Sequence, residues 1–181
     1  MKTSLLVPFV VSAALLAGCS SLSPGASTGR SVMEQAIGAS DKVAMLPVAN
    51  FTDVPQAGLR VEALLEPALR QAGLRQLAMY PSALNPETLF EPAERKVAED
   101  ARQWAVQQGL RYGVTGNVTE WRYKVGVDGE PAVGLTLQII DLPSGRVVWS
   151  GSGGKTGYSR ESLAGTAQQL VNTLLAGAGL Q

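Results

Sequence analysis

Residues Val133 to Ser150 read VGLTLQIIDLPSGRVVWS, and this stretch decides the fold class. Val133, Leu135, Leu137 and Ile139 alternate with small or polar residues, the period-two pattern of a strand that buries one face. Asp141-Leu-Pro-Ser-Gly145 then supplies turn chemistry, and Arg146 to Gly151 forms the returning strand. Two such runs joined by such a loop predict an antiparallel hairpin. Upstream, Arg111 to Val127 is a third β run, closed by the Gly126 to Pro131 turn GVDGEP. Strict alternation puts Thr115, Asn117, Thr119, Trp121 and Tyr123 on one face and Val114, Gly116, Val118, Glu120 and Arg122 on the other.

Outward from this meander the pattern changes. Lys42 to Ala49 (KVAMLPVA) predicts a buried strand, with Pro47 near an edge or an end. Asn50 to Gln56 is a turn-rich loop. Ala57 to Ala72 carries apolar residues at 61, 64, 65, 68, 69 and 72, a helical stripe, with Gly73 as its C-terminal cap and Pro67 expected to kink it. Leu74 to Tyr80 predicts a short strand, and Pro81, Pro86 and Pro92 bracket an irregular connector. Ala93 to Gln108 predicts a second helix with a solvated charged face and Gly109 as cap. Ser159 or Ser162 caps a last helix that turns Leu163, Ala167, Leu170, Val171 and Leu174 inward. The order is β-α-β-α-β-β-β-α. It predicts an α/β fold, a single three-layer-type domain with a mixed, mostly antiparallel sheet flanked by helices.

The N-terminus has a different character. Met1 to Ser4 carries one cation, and Leu5 to Leu16 is apolar apart from Ser12 and Pro8. That run suits a signal-peptide core and falls short of the ~20 residues needed to span a bilayer. It ends in Leu16-Ala17-Gly18-Cys19, which looks like a lipobox. The expectation is a removable lipoprotein signal over residues 1–18, a lipidated Cys19, a flexible tether over 19–40 and a periplasmic domain over 41–181. Ser20, where an inner-membrane lipoprotein would carry Asp, points to a lipid anchor in the outer membrane. Two or more acyl chains anchor stably, at ~0.8 kcal/mol per buried methylene.

Composition narrows the function. The chain of 181 residues has 15 Lys and Arg against 15 Asp and Glu, so no general attraction to nucleic acid is expected. It has no histidine and a single cysteine, the one in the lipobox. Ser-His-Asp chemistry, histidine zinc sites and thiolate catalysis therefore have no residues to run on, which argues against an enzyme and predicts no metal and no cofactor. Gly154-Lys155-Thr156 resembles the end of a phosphate loop, but Trp149 stands where the first glycine is required, so Gly151 to Gly154 reads as a flexible strand exit. Glu120, Asp128, Glu130 and Asp141 show no paired spacing of the kind glycoside hydrolysis needs. Core packing is the default for Trp121 and Trp149, and a subunit interface or a membrane-facing anchor is the alternative.

The segments Tyr112 to Lys124, Gly129 to Val133 and Asp141 to Ser150, with their D-x-x-S-G-x-V-x-W hairpin, resemble the lipoprotein group that includes the TolB N-terminal domain, CsgG and LpoB. With Val48-Ala-Asn-Phe-Thr52 and Pro55-Gln-Ala-Gly58 added, the chain most resembles the PelC family, outer-membrane lipoproteins of Pel exopolysaccharide export. That resemblance implies a homo-oligomeric ring of dodecameric type on the periplasmic side of the outer membrane. Its partners would be a β-barrel export porin and a cationic, partly de-N-acetylated amino-sugar polymer. It implies an acidic mouth, for which Asp128 and Glu130 on the Gly-flanked turn are the candidates, and a membrane or subunit contact, for which Trp149 and Trp121 are the candidates. Two other functions compete: a monomeric activator of a cell-wall synthase, and a periplasmic hydrolase.

Overall fold

The computed structural model describes residues 27–31, 33, 36–81, 91–126 and 129–180. Cys19, the signal-like run before it and Asp128 lie outside these residues. The chain runs β1 (Ser27–Arg30), β2 (Lys42–Asn50), α1 (Ala57–Gln71), β3 (Gln76–Met79), α2 (Glu91–Gln107), β4 (Tyr112–Tyr123), β5 (Pro131–Asp141), β6 (Arg146–Thr156) and α3 (Leu163–Leu175). Among the described residues one six-stranded sheet has the order β1-β6-β5-β4-β2-β3. β2 runs parallel to β3 and β4, because α1 and α2 act as crossovers between parallel strands. β4, β5, β6 and β1 pair antiparallel. This is the expected mixed sheet.

Three layers follow from where the apolar stripes point. Val43 and Met45 of β2, Val114 and Val118 of β4, and Leu135, Leu137 and Ile139 of β5 meet Val61, Leu65 and Leu69 of α1 and Leu170 and Leu174 of α3. Each buried leucine or valine there contributes about 1.5–3 kcal/mol relative to exposure. On the opposite face α2 packs on β2. There Ala101 and Ala105 meet Ala44, Leu46 and Leu142, and Trp104 stands edge-on to Tyr80 with ring centres 5.4 Å apart. The helix ends match their chemistry. Ser162 accepts from the Gly165 N–H at 2.9 Å to open α3, and Gly73 and Gly109 close α1 and α2 with φ of +104° and +67°. Among the described residues no helix is long and apolar enough to cross a membrane.

Three expectations are corrected. First, Ser27–Arg30, inside the stretch read as a tether, is a strand on the β6 edge. Arg30 fastens it: its guanidinium donates to the Thr173 carbonyl at 3.1 Å, near the C-terminal end of α3, where a cation is favoured. Second, β6 continues to Thr156 and does not fray at Gly151. Its glycines are paired on both sides, by β1 and β5, and the Trp149 ring occupies the space where a Gly151 side chain would stand. Lys155 and Thr156 are therefore strand residues, and no phosphate loop exists there. Third, β4 does not alternate strictly. A bulge between Val118 and Glu120 shifts the register, so Trp121 lies in the same core as Val118.

Candidate functional site

The sequence candidates scatter. Trp149 is 1% exposed and Trp121 is 3% exposed, so in the protomer both are core residues and neither ring presents a contact surface. The indole N–H of Trp149 donates to the Gly177 carbonyl at 3.2 Å, while that of Trp121 has no acceptor among the described residues. Their β5 partners are Ile139 and Val133, six residues apart, so roughly 20 Å of strand separates the two tryptophans. A bulge between Ile139 and Ile140 on the β5–β6 pairing helps turn Trp149 inward, as the β4 bulge does for Trp121.

Glu130 is half-exposed at the base of the β4–β5 turn. It is not a lone acid. The Lys124 ammonium lies 3.9 Å from its carboxylate, and the Lys124 N–H donates to its backbone carbonyl at 2.8 Å. Such a surface pair contributes about 0–1 kcal/mol and is screened by salt. The tip residue Val125 is fully exposed, and Tyr123 ties the turn to α3, donating to the Glu161 carbonyl and accepting from the Leu163 N–H, both at 3.3 Å. The other two acids are committed separately. Glu120 pairs with Arg122 at 2.8 Å. Asp141 pairs with Arg111 at 2.9 Å and accepts from the Ser144 hydroxyl, a bond that holds its carboxyl below the ordinary range, with Arg111 adding to the effect. Glu120 opposes Gly134 and Asp141 ends β5, so the two are roughly 24 Å apart along the strand and cannot form a catalytic pair. Among the described residues no group of three or more His, Cys, Asp or Glu could hold a metal ion.

The same end of the sheet holds a feature that the sequence reading passed over. An open trough of about 910 Å³ lies between the Phe51–Val54 loop and the β4, β5 and β6 strands. The loop is fixed from within: the Asn50 amide donates to the Val54 carbonyl at 2.8 Å, the Thr52 N–H donates to the Asn50 side-chain oxygen at 3.1 Å, and the Val54 N–H donates to the Thr52 hydroxyl at 3.2 Å. It is fixed to the fold by the Phe51 N–H, which donates to the Val118 carbonyl at 2.9 Å. Three residues earlier, where β2 bulges, the Val48 N–H donates to the Glu62 carboxylate of α1 at 2.8 Å. Burial pushes that carboxyl up from its ordinary value, partly offset by this hydrogen bond. The clue was the Asn50-Phe-Thr52 triplet, whose side chains organise a turn.

A PelC dodecamer from Paraburkholderia phytofirmans is 34% identical, with a TM-score of 0.73 over 87% of this chain and 99% of that one. The chain belongs to the PelC family. A point variant of that PelC, also a dodecamer and in another crystal form, matches at 34% identity and a TM-score of 0.72. The lipoprotein GNA1162 from Neisseria meningitidis, at 19% identity and a TM-score of 0.54 over 78% of this chain, shares the fold. No family model and no curated protein matches. The two matched PelC chains are covered over 99% and 100% of their own lengths.

Proposed function

We propose that this chain is a non-enzymatic, lipid-anchored component of a Pel-type exopolysaccharide export apparatus, assembled as a ring on the periplasmic side of the outer membrane. The observation that carries the reading is the 34% identity to a dodecameric PelC across that protein's whole chain. Acylation at Cys19 holds each copy at the membrane, and the ring sits beneath a β-barrel porin. Closure multiplies each protomer's charges by the copy number, so a near-neutral chain still builds a charged rim. Asp128 and Glu130 are the acids assigned to that rim. Their field reaches about 8 Å at physiological salt, so it acts on a cationic polymer already close to the mouth. Lys124, 3.9 Å from Glu130, offsets part of it.

The test is the mass of the full-length acylated protein in detergent. A high-order, closed species is expected. A monomer at every concentration refutes the ring and favours the activator reading. Full polymer secretion by a Cys19→Ser strain refutes the anchor.

A further inference from the structure

We propose that the trough beside Phe51 is a subsite for a saccharide chain. This deepens the export reading, on which the choice of an amino-sugar probe rests, while the saccharide chemistry is argued from the trough itself.

The trough lies on the sheet face that α1 and α3 do not cover. Val133 and Leu135 point into the main core, so their neighbours Gly134 and Thr136 point the other way. α2 covers the β2 side of that face, and among the described residues no helix covers the β4–β6 side. Its floor is built from glycines and the hydroxyl residues Thr136 and Ser152. Its wall carries an aromatic ring and fixed charges. Phe51 is 58% exposed although it is held on a rigid, internally bonded loop. Glu120 and Arg122 present a carboxylate and a guanidinium joined at 2.8 Å, and Asp53 is exposed with no ion pair among the described residues.

A pyranose ring has an apolar C–H face bordered by hydroxyls. An aromatic ring buries the first, and planar carboxylate and guanidinium groups with short hydroxyl side chains bond the second. Glu120 and Arg122 cancel, which leaves Asp53 as the net charge. One surplus negative charge disfavours phosphates and other anions and favours neutral or amino sugars. A floor of glycine and hydroxyl groups offers too little apolar surface for a lipid or a hydrophobic helix. The volume is in the range that holds a drug-sized ligand, and its openness suits a polymer that slides past better than an enclosed monosaccharide.

The experiment is calorimetric titration of the full-length acylated protein in detergent with two probes, the fully N-acetylated and the fully de-N-acetylated hexamer of glucosamine. Both are expected to bind. Phe51→Ala, at an exposed position, weakens both by about tenfold. Asp53→Asn weakens the de-N-acetylated hexamer selectively. Gly154→Val raises the floor of the trough and weakens both; its Cβ meets nothing nearer than the Val133 carbonyl oxygen at 3.7 Å. Wild-type binding by both Phe51→Ala and Gly154→Val, or no binding of either hexamer to the wild type, overturns the subsite. Those outcomes leave ring mass and secretion unchanged, so failure of the subsite is separable from failure of the export reading.

Discussion

The Trp149 indole donates its N–H to the Gly177 carbonyl at 3.2 Å, joining β6 to the turn that follows α3. Arg30 of β1 lies over the same glycine: a side chain at Gly177 would come within 2.4 Å of its guanidinium. The start of the described chain, its last helix and the sheet edge are thus fastened at one place. Trp149→Phe is expected to lower unfolding stability by roughly 1–3 kcal/mol, through a lost hydrogen bond and a smaller ring. Urea unfolding measures it. An unchanged midpoint with altered assembly would mean that the ring serves an interface instead.

Gly58 marks the closest approach of α1 to the sheet. A Cβ there would stand 2.1 Å from the Val48 carbonyl oxygen, a backbone atom that has no room to move aside. Gly58→Ala is expected to cost about 1–3 kcal/mol. Gly126→Ala, where an added Cβ meets nothing within 4 Å, should stay within about 0.5 kcal/mol of wild type. Parallel denaturant curves of the two variants check the contrast.

Glu62 gives the fold a pH dependence of known sign. Its folded-state carboxyl is raised from the ordinary 4.5 by burial. A raised acid binds its proton more tightly folded than unfolded, so its contribution is fully present below 4.5 and is lost as pH rises through the folded value. Glu62→Gln keeps an acceptor for the Val48 N–H and removes the titration. The variant's stability relative to wild type should therefore improve as pH rises from about 4 to 7. A difference that stays flat over that window would show that the carboxyl does not titrate differently on folding.

The acidic turn makes a functional prediction. Asp128→Asn with Glu130→Gln removes two negative charges per copy, and leaves Lys124, 3.9 Å from Glu130, uncompensated. Ring mass and unfolding midpoint should be unchanged, since the pair is on the surface. Secreted polymer should fall by severalfold, with a stronger effect at low ionic strength. Normal secretion by the double variant would remove these residues from the pathway.

The sequence alone determined the order of elements from β2 onward and the mixed sheet, because period-two and period-3.6 apolar patterns, turn residues and caps are local properties of the chain, and its motif residues carried the family resemblance. It also exposed the missing histidine chemistry and placed Glu130 on an accessible turn. It could not decide which way the tryptophans face. Strict alternation put Trp121 opposite Val118, and one extra residue at a bulge reverses every side chain beyond it. A bulge is set by pairing with a neighbouring strand, which no local pattern records. The same holds for β1, whose glycine- and serine-rich residues become a strand only because β6 offers them an edge, and for the trough. Its wall joins residues from Phe51 to Ser152, brought together by parallel pairing of β2 with β4 and antiparallel pairing of β4, β5 and β6. Local propensity wrote the elements, and long-range pairing chose their faces.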